Sequence, residues 1–165
     1  AFDPRMGFFK STEDNHLYPS PAARLLHPNA GAMFAFLGRV LGKAVYEGIL
    51  LELPLAGFFL KKFQNLRSND ISDLPSLDPE LYKQLMFLRT YDGDVSDLSL
   101  TFSITDSELG HNREVDLVPG GSSIAVTNDN RISYIFFVAN YRLNRVIAPA
   151  CAAFLRGVHE LIPAE

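Results

Sequence analysis

The sequence predicts an α+β fold that is mainly α-helical, with a small antiparallel sheet and a separate hairpin. Residues 29–53 form an apolar stretch with a single charged stripe, which is typical of a buried helix. Residues 98–104 alternate apolar and polar side chains with the period of a strand. The chain has 165 residues, of which 47% are hydrophobic and 21% charged, so it can form one globular domain with a core.

The stretch at residues 29–53 is the expected centre of the fold, and Pro28 and Pro54 delimit it. Its charged side chains lie four residues apart, at Arg39, Lys43 and Glu47. Side chains with this spacing share one helix face, so most of the helix is predicted to be buried. Gly38 and Gly42 leave a groove for another backbone, and we expect the long helix after Asn128 to pack there.

Shorter elements are predicted before residue 78. They are a hairpin (7–12 and 16–18, with a turn at 13–15), one helical turn (22–26), a second helix (55–63) and a loop with at most one helical turn (65–77). The apolar anchors expected on the second helix are Phe58, Phe59 and Phe63.

A clear helix start follows at Asp78, a good N-cap, with Pro79 at the first helical position. This helix is expected to extend to about Leu88. Short strands are predicted at residues 98–104, 114–118 and 123–126. The last predicted helix covers residues 129–161, is capped by Thr127 or Asn128, and bends or breaks near Ile147 because Pro149 lies inside it.

The bulk composition argues against several classes of function. The net charge is −4 and the basic residues are scattered, which is unlike a nucleic-acid-binding surface. Uncharged runs are about half the length of a membrane span, and no signal peptide is visible. The four histidines (His16, His27, His111 and His159) lack metal-ligand spacing. Residues 92–97 start like a calcium loop, but Asp97 stands where glycine is needed and Ser103 where a bidentate glutamate is needed. We therefore expect no metal and no cofactor.

Cys151 is the chain's single cysteine. Alanines flank it in an apolar helical stretch, whereas a nucleophilic cysteine needs an accessible, electropositive setting. We interpret it as a small core residue and predict no catalytic residue in the chain. From the residues alone, the sequence favours a binding or scaffolding piece.

Five segments stand out along the sequence: GFFKSTEDNHLYPSP, FLGRVLGKAVYEGILLELPLAGFFLKK, SLDPELYKQLMFLR, GHNREVDLVPGGSSIAVTNDNRISYI and YRLNRVIAPACAAFLRGVHELIP. Together they resemble the N-terminal lobe (N-lobe) of a HECT-type E3 ubiquitin ligase. The first segment is similar to the family's opening strand pair, the second to its F-x-G-R-x-x-G-x-A signature helix, and the others to later elements in the same order. The sequences of these motifs are most similar to those of animal HECT ligases that carry an IQ motif and of plant HECT ligases.

The resemblance implies what the parent protein does. An E2 enzyme passes ubiquitin to a cysteine in a C-terminal lobe (C-lobe), and ubiquitin then moves to a lysine of a protein substrate. Nothing in the chain matches that lobe or the E2-binding subdomain. Residues 1–165 are therefore expected to be a partial HECT domain, the large subdomain of the N-lobe, cut from a longer cytoplasmic or nuclear protein and inactive alone. Cofactors, nucleic acid and membranes are not expected partners.

Some family members bind a second ubiquitin on the N-lobe, at a surface that aligns with Ser20, Met33 and Leu109. The family's best-studied members have an asparagine and two aromatic residues there, so the large aromatic anchors are missing in this chain. An alternative function is thus a non-catalytic ubiquitin-binding module that uses this surface. A third hypothesis is an unrelated helical structural domain.

Overall fold

The computed structural model describes residues 2–64, 69–108 and 110–162. In chain order its strands and α-helices are β1 (Phe9–Ser11), β2 (Leu17–Pro19), α1 (Ala23–Leu26), α2 (Ala30–Tyr46), α3 (Gly57–Lys61), α4 (Pro79–Thr90), β3 (Ser103–Glu108), β4 (His111–Asp116), α5 (Arg131–Asn140) and α6 (Ala148–His159). Short 3-10 helices and one π-helical segment, Tyr141–Arg145, connect them. The mainly helical α+β class with small antiparallel sheets is confirmed.

The chain divides into two compact units. The first consists of Ala1–Asn69 with Asn144–Glu165, and the second of Asp70–Leu143.

Helix α2 packs against α6 at the centre of the first unit, as the glycine pair predicted. A Cβ built on Gly38 would overlap the carbonyl oxygen of Phe154, and one on Gly42 would lie 3.1 Å from the carbonyl oxygen of Val158. The arrangement is reciprocal, because a Cβ on Gly157 would overlap the carbonyl oxygen of Ala35. The helices therefore approach to backbone contact.

An aromatic cluster fills the core beside this contact. The Phe154 ring meets the rings of Phe9 and Phe59 edge-on, with centroids 6.3 and 5.5 Å away. Phe9 also meets Phe34 at 5.8 Å. These four side chains are at most 1% exposed. The cluster joins hairpin β1–β2, α2, α3 and α6 into one core.

The opening hairpin forms as predicted. Phe9 pairs with Pro19 and Ser11 with Leu17, and Asn15 takes the left-handed conformation (φ 59°) in the turn. The predicted single turn of helix is α1. The predicted second helix is shorter than expected, with α3 followed by a 3-10 turn at Lys62–Gln64.

Helix α2 ends at Tyr46, seven residues before the predicted end at Leu53. Gly48 takes a left-handed conformation (φ 69°), and its N–H donates to the carbonyl of Val45. The N–H of Ile49 donates to the carbonyl of Ala44, which completes a Schellman motif. The expectation that residues 47–53 are helical and buried is therefore wrong.

In the second unit, α4 starts where the sequence predicted. Asp78 Oδ1 accepts from the N–H of Leu81 at 2.9 Å, and Pro79 is the first helical residue. The predicted loop before it lies partly outside the described residues, at 65–68, and partly forms a 3-10 helix, Ile71–Ser76. The core of this unit is formed by side chains of its helices and of the segments between its elements: Leu74, Leu85, Leu88, Val95, Phe102, Leu117, Val126, Ile135, Val138 and Leu143.

The strands of the second unit differ from the prediction. Residues 98–102 lie outside the sheet, since a 3-10 helix (Val95–Leu98) and a left-handed Ser99 precede β3. Strand β3 pairs antiparallel with β4, from Ser103 opposite Asp116 to Glu108 opposite His111. The third predicted strand, 123–126, is reduced to an isolated bridge between Thr101 and Ala125. The two segments therefore pair through this bridge instead of through a full ladder of hydrogen bonds.

The predicted helix at residues 129–161 is present in pieces. It begins at Arg131 rather than 129, with Asn130 at the N-cap position instead of Thr127 or Asn128. The Asn128 side chain accepts from the N–H of Val95 at 3.1 Å. The break predicted near Ile147 is confirmed, because Ile147 is the N-cap residue of α6 and Pro149 lies in its first turn.

Candidate functional site

Cys151 lies on α6 in the first unit and is 4% exposed, as predicted. Burial raises the pKa of its thiol to about 12, although the charge of Lys62 acts in the opposite direction. A thiol with this pKa is almost fully protonated at neutral pH, whereas nucleophilic attack needs the thiolate. Cys151 is therefore a packing residue in this fold.

His27 and Asp94 of the acidic loop have structural roles. The His27 ring stacks on Phe8, and its Nε2 lies 2.8 Å from the carbonyl oxygen of Met6. Asp94 caps a 3-10 turn by accepting from the N–H of Ser96 at 2.9 Å. Over residues 2–64, 69–108 and 110–162, no three His, Cys, Asp or Glu side chains are grouped as a metal site would need.

An apolar groove of about 240 Å³ opens in the second unit, between α4, the Val95–Leu98 turn and α5. Its lining contains no carboxylate, imidazole, amine or thiol among the residues described. The polar members are Gln84 and Tyr134, and burial raises the pKa of the Tyr134 phenol. The groove can hold an apolar side chain but offers no acid–base pair.

The three residues predicted to contact ubiquitin are placed differently. Ser20, which follows β2, is 4% exposed, and its N–H donates to the carbonyl of Phe8. Met33 lies in the first turn of α2 and is half-buried. Leu109 lies outside the described residues. Met33 is thus the one of the three whose side chain offers appreciable surface in the described part.

The most exposed apolar surface follows the C-terminal half of α2. We call it the 45–51 segment, defined by Val45, Tyr46, Ile49, Leu50 and Leu51, and their exposures are 58%, 74%, 52%, 86% and 39%. Apolar surface of this extent on a domain marks contact with another part of a protein or with a partner. This exposed segment was not expected from the sequence, because its apolar run continues the helical period past Gly48, a residue type that signals a helix end.

No helix in the described part of the chain is both long and apolar enough to cross a bilayer. The first unit combines the α2–α6 helix pair with the exposed 45–51 segment.

Comparison with known proteins identifies the family. The family model of the HECT domain (ubiquitin-transferase) matches residues 1–165. All of the chain aligns with E3 ubiquitin-protein ligase UPL6 of Arabidopsis thaliana at 48% identity and with human ubiquitin-protein ligase E3B at 42%. E3 ubiquitin-protein ligase NEDD4 of the rat is 35% identical over 99% of the chain. The chain spans 16%, 16% and 18% of the lengths of these relatives.

These matches confirm the resemblance drawn from the sequence motifs. The family match extends over both compact units, and the plant and human ligases are more similar to the chain than NEDD4 is. The chain belongs to the HECT-domain family of ubiquitin transferases.

Proposed function

We propose that this chain is the scaffold section of the N-lobe in a HECT-type E3 ubiquitin ligase. The parent protein accepts ubiquitin from an E2 enzyme as a thioester and transfers it to lysines of protein substrates. One combined observation supports the proposal. The family match spans the whole chain, yet the chain's only cysteine is buried with a pKa of about 12.

This observation divides the chemistry between parts of the parent. In thioester exchange, a thiolate attacks the carbonyl carbon of the E2–ubiquitin thioester, and the E2 thiolate leaves. At pH 7, a pKa of about 12 leaves roughly one thiol in 10⁵ ionised. This low thiolate fraction supports an accepting cysteine outside these 165 residues, in the C-lobe that the family resemblance implies. We place the E2-binding subdomain in another part of the parent as well.

The chain's contribution is then mechanical. Helices α2 and α6, locked at backbone contact by Gly38 and Gly157, form a rigid base. A rigid base can hold the E2-binding and catalytic parts at defined positions, which lowers the entropic cost of bringing the attacking thiolate to the E2–ubiquitin thioester. A cytoplasmic or nuclear location stays a prediction.

The experiment uses the longer protein that contains this chain, with ubiquitin-loaded E2. We expect a ubiquitin adduct that is sensitive to dithiothreitol and forms equally well in the Cys151→Ala variant. A thermal melt of both proteins controls for folding. Loss of the adduct in a folded Cys151→Ala variant would assign the thioester to Cys151 and overturn the proposal.

A second ubiquitin contact is a separate prediction, and it now centres on Met33, because Ser20 is 4% exposed and Leu109 lies outside the described residues. Its support is the alignment of these positions with a surface used by other family members, and the accessible part of Met33. We expect amide shifts around Met33 when ubiquitin is titrated against the chain in an NMR experiment. A Met33→Ala variant should weaken them, and an unperturbed spectrum at millimolar ubiquitin would exclude this contact.

A further inference from the structure

The hairpin β3–β4 needs contacts with the rest of its unit to be stable. It is a sheet of two strands only, and such a hairpin is marginally stable by itself in water. At its base, Phe102 and Leu117 are 5% and 4% exposed, and the N–H of Leu117 donates to the carbonyl of Phe102 at 2.9 Å. Core packing therefore holds the base, and something else must hold the outer half.

The outer half contains one buried side chain among those described, and it is a carboxylate. Asp106 is 8% exposed, whereas its neighbours Thr105 and Ser107 are exposed. The facing positions of the outer half offer no apolar alternative, because Asn112 and Arg113 are polar and exposed. A buried carboxylate is unfavourable unless hydrogen bonds or charges compensate it. Asp106 must therefore have specific partners.

Two partners compensate Asp106. The phenol of Tyr141, itself 5% exposed, donates to Asp106 Oδ2 at 2.9 Å. Arg113, the residue opposite Asp106 in the strand register, places its Nη2 4.0 Å from the same oxygen. The Arg113 side chain is 75% exposed, so water screens this pair and the Tyr141 hydrogen bond is the stronger tie.

Tyr141 is the first residue of the π-helical segment Tyr141–Arg145. A π-helical turn inserts an extra residue and so changes the direction of the side chains that follow the preceding helix. Asp106 and Tyr141 lie 35 positions apart in the sequence, so their bond ties the hairpin to the helical part of the same unit.

We infer that the Asp106–Tyr141 hydrogen bond is a latch that docks the outer half of hairpin β3–β4 onto the helical part of its unit. Opening the latch frees the hairpin locally while the helices of the unit stay folded. Asp106 and Tyr141 are thus positioning residues for this hairpin. The inference does not depend on the ligase function, because it concerns the motion of the hairpin itself.

Hydrogen exchange of the 165-residue chain, followed by mass spectrometry, tests the latch. The Tyr141→Phe variant removes the hydroxyl and little else. A buried hydrogen bond to a charged acceptor shifts an opening equilibrium by roughly ten- to a hundredfold. We expect amides of β3 and β4 to exchange faster by that factor, and amides of α4 and α5 to be unchanged. Equal acceleration in all peptides, or none in the hairpin, would overturn the inference.

Matched variants keep the test decisive if Tyr141→Phe folds poorly. Asp106→Ala breaks the same bond from the hairpin side, and the double variant should exchange no faster than either single variant. Additive acceleration would contradict the latch. Ser107→Ala serves as the control, because it removes an exposed bond within the same hairpin, from Ser107 Oγ to Asn112 Oδ1 at 2.6 Å. We expect its hairpin exchange to stay within about twofold of wild type.

Discussion

At the scale of single residues, the lack of a Cβ on glycine determines how closely α2 and α6 pack. Gly38 and Gly157 lie where each helix meets the backbone of the other, and neither position has room for a Cβ. Glycine in a helix interior is intrinsically unfavourable, by about 1 kcal/mol relative to alanine. Its presence at both positions shows that close approach of the backbones outweighs helix propensity.

A pair of glycine substitutions in α2 tests this balance. Gly38→Ala should lower the free energy of unfolding by at least about 2 kcal/mol, because the new methyl group overlaps the Phe154 carbonyl and forces the helices apart. Gly31→Ala is the matched control, since a Cβ there meets nothing within 4 Å. It should raise stability by about 0.5 kcal/mol. Chemical denaturation measures both, and equal effects would contradict the packing argument.

The thiol of Cys151 supplies a second prediction at this scale. Its pKa of about 12 exceeds the ordinary value of 9.0 by about three units, so at pH 8 the folded chain should react with a maleimide about a thousandfold more slowly than the denatured chain. The rate should rise about tenfold per pH unit. Mass spectrometry follows the labelling, and rapid modification of the folded chain at pH 8 would contradict the buried thiol.

The same shift has a consequence for stability. Because the folded pKa is raised above the unfolded value, burial of Cys151 contributes stability that is fully present below pH 9. That contribution is lost as the pH rises from about 9 to about 12. The Cys151→Ala variant lacks this group, so its stability should fall less steeply over that range.

At the scale of elements, sequence reasoning succeeded where one local signal determined the outcome. Asp78 with Pro79 marked the start of α4, the glycine pair marked the contact between α2 and α6, and Pro149 marked the break before α6. The cap and the proline act through backbone geometry within a few residues, and the glycine pair marks a helix face that another backbone can approach. Such signals can be read from the chain without knowing its tertiary contacts.

The errors arose where several patterns competed. The apolar residues after Gly48 continued a helical period, but a left-handed glycine ended the helix. The alternation at residues 98–104 predicted a strand, although a 3-10 turn ends at Leu98 and the strand begins at Ser103. Alternation records which side chains are buried and does not identify a hydrogen-bonding partner for the backbone. Tertiary pairing decided the strand limits.

The Asp78 side chain supports a prediction for the start of α4. Its Oδ1 caps the helix, and its Oδ2 lies 3.3 Å from Arg142 Nη2 in a half-buried pair. Asp78→Ala removes both interactions and should cost about 1–2 kcal/mol. Asp78→Asn keeps a good capping side chain and should cost about 1 kcal/mol less. Equal losses in the two variants, measured by denaturation, would show that the ion pair rather than the cap is the important contact.

At the scale of the whole molecule, the family could be identified from sequence but the accessible surface could not. A family signature is a linear order of motifs, and this order is preserved over the whole chain. Exposure depends on which elements cover which faces. The sequence therefore predicted Ser20 as a contact residue, although it is buried, and gave no indication that Leu50 is 86% exposed.

The 45–51 segment leads to a prediction about the behaviour of the whole chain. Exposed apolar side chains favour self-association, because association removes their surface from water. Leu50→Ser should reduce binding of an apolar dye and shift the chain towards monomer in sedimentation velocity. Its free energy of unfolding should change by less than about 0.5 kcal/mol, since Leu50 contributes little to the core.

The control substitution makes the same chemical change at a buried position nearby. Leu55 is 7% exposed, so Leu55→Ser should cost at least about 2 kcal/mol and increase dye binding as the core opens. The two variants thus distinguish self-association through the exposed segment from loss of the folded structure. If Leu50→Ser left both dye binding and sedimentation unchanged, the 45–51 segment would not be the surface through which this chain self-associates. If it destabilised the fold as Leu55→Ser does, Leu50 would belong to the core.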